Sequence, residues 1–288
     1  MNLAIGTAQF GLDYGISNFS GKVKLDEVKK IIRFAKISGI DTIDTARDYG
    51  DSEESIGKCD ISSFKVVTKI GTLKGHENNV YDWSEQEVKS SLEKLGIEKM
   101  YGILLHRPLE LLSKNGDELF KSISKIKRDR LVEKIGISVY SINELMNIVD
   151  KFDIDIVQLP INIINQEILN SGFLKVLKSK NIEIHARSCF LQGLLLMDYN
   201  EIPLKFKKWS NIFLDWHRWL IENNINAVQG CLSFINSIDN IDKVIVGIQN
   251  ETQLKELVNY SNNKDIKNFP DLFCKDTDLI DPSNWSSL

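Results

Sequence analysis

The chain is poor in the residues that hold metals or staple small folds, and it has no long apolar run. Its four cysteines, Cys59, Cys189, Cys231 and Cys274, lie far apart without paired metal-ligand spacing, so neither a zinc site nor a disulfide framework is expected. They read as reduced structural thiols, with Cys189 set apart because it follows a predicted strand end. No His-x-His or similar cluster of strand-end ligands occurs, so no metal is expected and a metal-dependent hydrolase is set aside. No stretch approaches about 18 uncharged apolar residues, and the first residues carry no basic segment followed by a long apolar one. The expectation is a soluble, cytoplasmic protein with no membrane partner. A net charge of −4 also argues against general affinity for nucleic acid or anionic membrane.

What the chain does have is 288 residues, 42% of them apolar, in a regular order with no Pro/Gly-rich linker. Apolar runs of four to six residues alternate with amphipathic helical stretches, the pattern of a parallel sheet wrapped by helices. The predicted strands are Leu3–Gly6, Thr42–Asp44, Val66–Lys69, Gly102–His106, Lys134–Ser138, Ile156–Pro160, Glu183–Arg187 and Val244–Gly247. The predicted helices centre on Glu27–Ser38, Glu53–Lys58, Ser84–Leu95, Glu118–Arg128, Ile142–Val149, Leu169–Lys180, Phe213–Asn223 with Ala227–Asn236, and Thr252–Asn259. Ser84 reads as an N-cap, with Glu87 three residues later. Eight βα units in series point to an α/β fold closed as a (β/α)8 TIM barrel, a single domain over 1–288. The alternative is an open doubly wound sheet. Against it, the turn after the first strand, Gly6-Thr7-Ala8-Gln9-Phe10-Gly11, lacks Gly-x-Gly-x-x-Gly spacing, and no helix is expected to open there. The tail 269–288 keeps Phe269, Leu272, Phe273, Ile280 and Trp285 and is expected to pack on the barrel.

The second, third and fourth strands each stop at an ionisable residue: Asp44, Lys69 and His106. In a barrel the C-terminal strand ends converge on one mouth, where α/β folds carry their chemistry. Tyr49 would hang in the loop after the second strand. A phenol titrates near pH 10 in water, and an adjacent Lys69 ammonium would lower that value while Asp44 keeps Lys69 charged and oriented. A neutral His106 would donate to a substrate carbonyl oxygen beside the phenol. Such a set suits protonation of a carbonyl oxygen as it receives a hydride.

The residues from Gly39 to Gly57, with Asp44-Thr45-Ala46-Arg47-Asp48-Tyr49-Gly50 at their centre, resemble the first signature of the aldo-keto reductase superfamily. Val67-Thr68-Lys69 resembles that family's lysine strand, and Ser91–Gly96 running to Leu104-Leu105-His106-Arg107-Pro108 resembles its approach to the catalytic histidine. The resemblance continues through Ile135–Ser138, Val157-Gln158, Gln192–Leu195 and Val246-Gly247. It implies catalytic roles for Asp44, Tyr49, Lys69 and His106, and a nicotinamide cofactor lying extended across the barrel mouth without a Rossmann domain. It implies that Ser138 and Gln158 hold the carboxamide, and that Gly247, Gln249, Gln253 and Glu256 surround the adenosine end. Gly6, Thr7, Ala8, Asp44, Arg187 and Ser188 are further expected contacts.

Three positions depart from the family's pattern. Val139 stands where many members have an asparagine on the carboxamide, and Arg187 where many have a tyrosine stacked under the nicotinamide. Gly247–Glu256 offers Lys255 but no arginine, so NADP (as NADPH) is expected with NAD as the alternative. The hairpin that commonly plugs the barrel bottom is expected to be missing. The resemblance implies an NADPH-dependent oxidoreductase that reduces an aldehyde, ketone or open-chain sugar carbonyl, with Tyr49 as general acid, acting as a monomer or small homo-oligomer. The alternative is a non-catalytic, cofactor-sensing barrel that partners another protein.

Around that set, Trp216 and Trp219 share one helix face with Phe213, which is core spacing, and Trp209 is read with them as packing. Trp83, expected just before a helix, is a candidate to reach the mouth. Phe10, Tyr14 and Phe190 follow strands one and seven and are candidates to line the pocket. His185 is read as out of phase with Arg187 and packed away from the site.

Overall fold

The computed structural model describes residues 2–261 and 266–288; of the expected span 1–288, Met1 and residues 262–265 lie outside the described residues. Eight parallel strands close a barrel in sequence order: β1 (Leu3–Gly6), β2 (Thr42–Asp44), β3 (Lys65–Ile70), β4 (Met100–Leu105), β5 (Val132–Ser138), β6 (Ile156–Pro160), β7 (Glu183–Arg187) and β8 (Lys243–Gly247). β1 pairs with both β2 and β8, which leaves no free sheet edge. This is a (β/α)8 TIM barrel.

Period-two alternation sorts each strand's side chains into those facing the barrel axis and those facing the helices. Val67, Leu104 and Ile156 meet in an apolar layer inside the barrel. Below it, Glu183 accepts from Tyr101 at 2.8 Å and from Lys134, and His185 Nε2 lies 3.0 Å from the other Glu183 oxygen. His185 is fully buried. It is two residues from Glu183 and two from Arg187, so it shares their inward face, and the out-of-phase reading is corrected. Above the apolar layer come Asp44, Lys69, Ser138, Gln158 and Arg187. The register sets Gly6 opposite both Asp44 and Gly247, and Ser138 opposite Gln158.

The main helices are α1 (Ala8–Gly11), α2 (Leu25–Ile37), α3 (Ser52–Gly57), α4 (Val80–Leu95), α5 (Gly116–Arg128), α6 (Ile142–Val149), α7 (Glu167–Asn170), α8 (Phe173–Ser179), α9 (Ser210–Glu222), α10 (Ala227–Asn236), α11 (Glu251–Tyr260) and α12 (Thr277–Ile280). Their apolar faces pack on the barrel exterior through a continuous core of Leu, Ile and Val. Four local expectations fail. A single helical turn, α1, does open after β1. The expected Leu169–Lys180 helix is split into α7 and α8 at Gly172, whose φ of 71° an α-helix does not allow. Ser84 is no cap: α4 begins four residues earlier, and Ser84 Oγ instead bonds the Tyr81 carbonyl and Ser122. Trp83 consequently lies in the first turn of α4, buried and stacked on His76.

Trp216 and Trp219 stack at 5.4 Å, and their indole N–H groups donate to the carbonyls of Leu195 and Asn268. The chain's end covers this side of the barrel. Phe269 packs against Trp219 and Phe234, and Trp285 lies edge-on to Phe206 at 4.9 Å while its carbonyl accepts from Lys205. Among the described residues no helix is long and apolar enough to cross a membrane, and no cluster of three or more His, Cys, Asp or Glu could hold a metal ion.

Candidate active site

Asp44 is the last residue of β2, Lys69 the penultimate residue of β3, and His106 follows β4 directly. Lys69 Nζ donates to Asp44 Oδ2 at 2.7 Å and to the Thr45 carbonyl at 3.0 Å. The two side chains are only 1% and 4% exposed, so this is a buried ion pair. Burial lowers the Lys69 pKa, and the Asp44 charge opposes that fall. The other Asp44 oxygen accepts from Gln158 Nε2 at 2.7 Å, and Gln158 Oε1 accepts from Ser138 at 3.4 Å. One polar chain thus runs from β3 through β2 and β6 to β5 across the barrel mouth.

Tyr49 is held over this pair by its backbone. A Cβ on Gly11 would sit 1.7 Å from the Tyr49 carbonyl oxygen, and one on Gly50, whose φ is 58°, would sit 2.4 Å from the Gly11 carbonyl oxygen. Only glycine at both positions lets α1 press against the β2 loop. Lys69 Nζ lies 5.1 Å from the centre of the Tyr49 ring, and the ring meets His106 edge-on at 6.0 Å. Burial raises the Tyr49 pKa, the Asp44 charge raises it further, and the Arg187 charge opposes both. The sequence led to the opposite expectation, a pKa lowered by Lys69; here desolvation and Asp44 win, and the phenol stays protonated at neutral pH.

His106 Nδ1 lies 3.1 Å from Asp48 Oδ2. An ionised carboxylate can only accept, so Nδ1 carries the proton, and in the neutral ring Nε2 is left as an acceptor. The ring is neutral at pH 7, because burial, followed by the Lys69 charge, pushes its pKa down to about 4 against the pull of Asp48. Neutrality agrees with the sequence reading. Donation from the neutral ring does not, because Asp48 takes the ring's one proton.

These groups open onto a cavity at the mouth of the barrel. Gly6, Thr7 and Ala8 line it from β1 and the turn beyond, and Arg187 and Ser188 from β7. Ser138 and Gln158 form its floor beside Asp44, and Gly247, Gln249, Gln253 and Glu256 line the β8 end. Lys69 alone of the expected set does not reach the lining. Tyr14 and Phe190 do line it, whereas Phe10 and Trp83 do not: Phe10 is fully buried in the core. Val139 is also buried and outside the lining. Cys189 touches the cavity, but burial pushes its thiol up to about 12, which makes it a poor nucleophile. Lys255, the expected cation for a 2′-phosphate, pairs with Glu251 at 2.6 Å, lies over the Phe34 ring and does not line the cavity.

Sequence reasoning missed Gln9, Asp48 and Tyr140, whereas Gln192, within the stretch that resembles the family's cofactor contacts, does line the cavity. Gln9 Oε1 is buried with no hydrogen-bond partner, and a Cβ on Gly247 would sit 2.6 Å from Gln9 Nε2, so the glycine makes room for this amide. An orphan acceptor between β1 and β8 suits a ribose hydroxyl. The N-terminus of α11 lies at the same end, where Asn250 Oδ1 accepts from the Gln253 N–H and Glu27 Oε1 from the Glu251 N–H. The residues present therefore fit the nicotinamide dinucleotide that the resemblance implies.

Known structures agree in fold. The aldo-keto reductase AKR11C1 from Bacillus halodurans in its holo form superposes with a TM-score of 0.73 at 16% identity, covering 92% of this chain and 88% of that one. The glycerol dehydrogenase AKR11B4 from Gluconobacter oxydans gives 0.67 at 18% identity, covering 94% and 88%. No curated protein matches the chain in sequence. The model of the aldo/keto reductase family matches residues 2–271. The chain belongs to the aldo/keto reductase family and is an NAD(P)-dependent oxidoreductase.

Proposed function

We propose that the protein reduces an aldehyde, ketone or open-chain sugar carbonyl with NADPH, and that Tyr49 supplies the proton. The observation that carries this reading is a protonated phenol at the barrel mouth, set against His106 and above the buried Lys69–Asp44 pair. The reduced nicotinamide, when bound, supplies the hydride. Ser138 and Gln158 hold its carboxamide beside Asp44, in keeping with their hydrogen-bonded chain. Tyr49 donates to the carbonyl oxygen, and the Lys69 ammonium offsets the phenolate charge that this leaves. Asp44 keeps the ammonium in place.

His106 lines the cavity, and its Nε2, left as an acceptor, accepts a hydrogen bond from a hydroxyl on the carbon next to the carbonyl. That favours hydroxycarbonyls, open-chain sugars among them, over plain aldehydes. At the β8 end a 2′-phosphate would find amide donors from Gln249 and Gln253 and an opposing carboxylate from Glu256. NADPH is accordingly used with only weak preference over NADH. Four free thiols suit a reducing compartment, the cytoplasm.

Incubation of the purified protein with NADPH or NADH and a panel of carbonyls tests this reading. Loss of the reduced-cofactor absorbance is expected, faster with hydroxyaldehydes than with alkanals of the same length. Tight cofactor binding with no turnover of any carbonyl would sink it.

A further inference from the structure

Arg187 brings a positive charge to the catalytic end of the cavity and, among the described residues, pairs with no carboxylate there. Its guanidinium carbon lies 4.3 Å from the centre of the Tyr140 ring, Nη2 donates to the Val139 carbonyl at 3.0 Å and Nη1 to Ser188 Oγ at 3.2 Å. Both acceptors are neutral, and Arg187 forms no ion pair among the described residues.

The nearby carboxylates are engaged elsewhere. Asp44 is taken by Lys69 and Gln158, both at 2.7 Å, and Asp48 by His106 at 3.1 Å. Glu256, the lining's other acid, belongs to α11 at the β8 end. The Asp44 and Lys69 charges cancel, and the Asp48 carboxylate, held by His106, does not line the cavity, so Arg187 is the one cation in the lining that no acid pairs with among the described residues. Its field reaches Tyr49 and Tyr14, where it opposes the rise that burial causes, and Lys69, where it adds to the fall.

Around it stand neutral donors. Tyr14 lines the same cavity and hydrogen-bonds Gln192, and its phenol is pushed up to about 12 by burial and then by Tyr49. A guanidinium with N–H groups to spare, stacked on an aromatic face and flanked by a protonated phenol, is a receptor for a carboxylate or phosphate.

We propose that the carbonyl substrate carries a carboxylate or phosphate group, which Arg187 binds with help from Tyr14 while Tyr49 engages the carbonyl. This rests on the reading of the Tyr49 end as the reducing end. It makes Arg187 a specificity-determining residue for an anionic hydroxycarbonyl, such as an acidic or phosphorylated open-chain sugar.

Steady-state kinetics of the whole protein with NADPH, on paired substrates that differ in the anion, tests the proposal. Glyceraldehyde is compared with glyceraldehyde 3-phosphate for the phosphate arm, and D-glucose with D-glucuronate for the carboxylate arm. The wild-type protein is expected to favour the charged member of at least one pair, and less so at high salt. Arg187→Gln should lower that charged-to-neutral ratio of kcat/KM by about 10- to 100-fold, the size of a lost charge-assisted hydrogen bond, mainly through KM. Arg187→Lys should restore part of it. A wild-type preference for the neutral members, which needs no variant to observe, overturns the proposal. So does an unchanged ratio in Arg187→Gln with a shift in the NADPH to NADP⁺ affinity ratio, which would assign Arg187 to the cofactor ring. Failure of the wild-type protein to reduce any carbonyl removes the reductase reading itself, and this proposal falls with it.

Discussion

One proton decides what His106 can do. Asp48 holds it on Nδ1, so the ring accepts at Nε2. Asp48→Asn removes the charge that raises the His106 pKa, so the inflection near pH 4 in the acid limb of kcat/KM should move lower, with kcat/KM falling about tenfold at neutral pH. An unmoved inflection with full activity would show that Asp48 does not set the ring's proton. Much of the site was legible at this scale: Asp44, Lys69 and His106 each end an apolar run, and Tyr49 follows Asp44 at the family's spacing. Two things were not. Asp48 was given no role, because its contact with His106 spans 58 residues of chain. The direction of the Tyr49 shift depends on burial, which the order of residues does not reveal.

Glu183, on β7, accepts bonds from both β4 and β5 and so ties three strands at the barrel's N-terminal end. Burial pushes its carboxyl up, but hydrogen bonds from His185, Lys134 and Tyr101 outweigh that and hold it well below the usual carboxylate range. A depressed carboxyl contributes stability that is full above its unfolded pKa, near 4.3, and is lost as pH falls toward the folded value. Wild-type Tm should therefore drop as pH falls below about 4. Glu183→Gln should lower Tm at pH 7, and its own Tm should vary less between pH 7 and pH 3. An equally steep acid loss in the variant would point to other carboxylates. Strands were read well because four to six apolar residues between polar stretches admit little else; β1, β2, β6 and β7 match to the residue. Helix starts were read less well. α4 begins at Val80 after Asn79, whose side chain makes no capping bond, so the cap signal at Ser84 misled. The turn after β7, with Leu191 and Gln192 at φ of 47° and 54°, carries no glycine at those positions to announce it.

For the molecule as a whole, eight βα units with no break left closure as the simplest topology, and closure then brings residues from six strands, with His106 just past β4, to one mouth. Because a bound cofactor stabilises only the folded barrel, NADPH at about 100 times its Kd should add about 2.7 kcal/mol and raise Tm by several degrees. NADH should reach the same shift within about tenfold in concentration, because Lys255 is turned to Glu251 and Glu256 lines the cavity. A preference for NADPH beyond about a hundredfold would contradict that. The central claim, proton delivery by Tyr49, needs a variant that leaves the buried Lys69–Asp44 pair intact, since breaking such a pair costs about 3–5 kcal/mol and confuses chemistry with folding. Tyr49→Phe meets that need. The most direct measurement is single-turnover oxidation of bound NADPH on mixing with a reducible hydroxyaldehyde, wild type against Tyr49→Phe. The account expects the variant to bind NADPH with nearly unchanged affinity and to react on the order of 10²–10⁴ times more slowly; a variant that oxidises NADPH at the wild-type rate would contradict it.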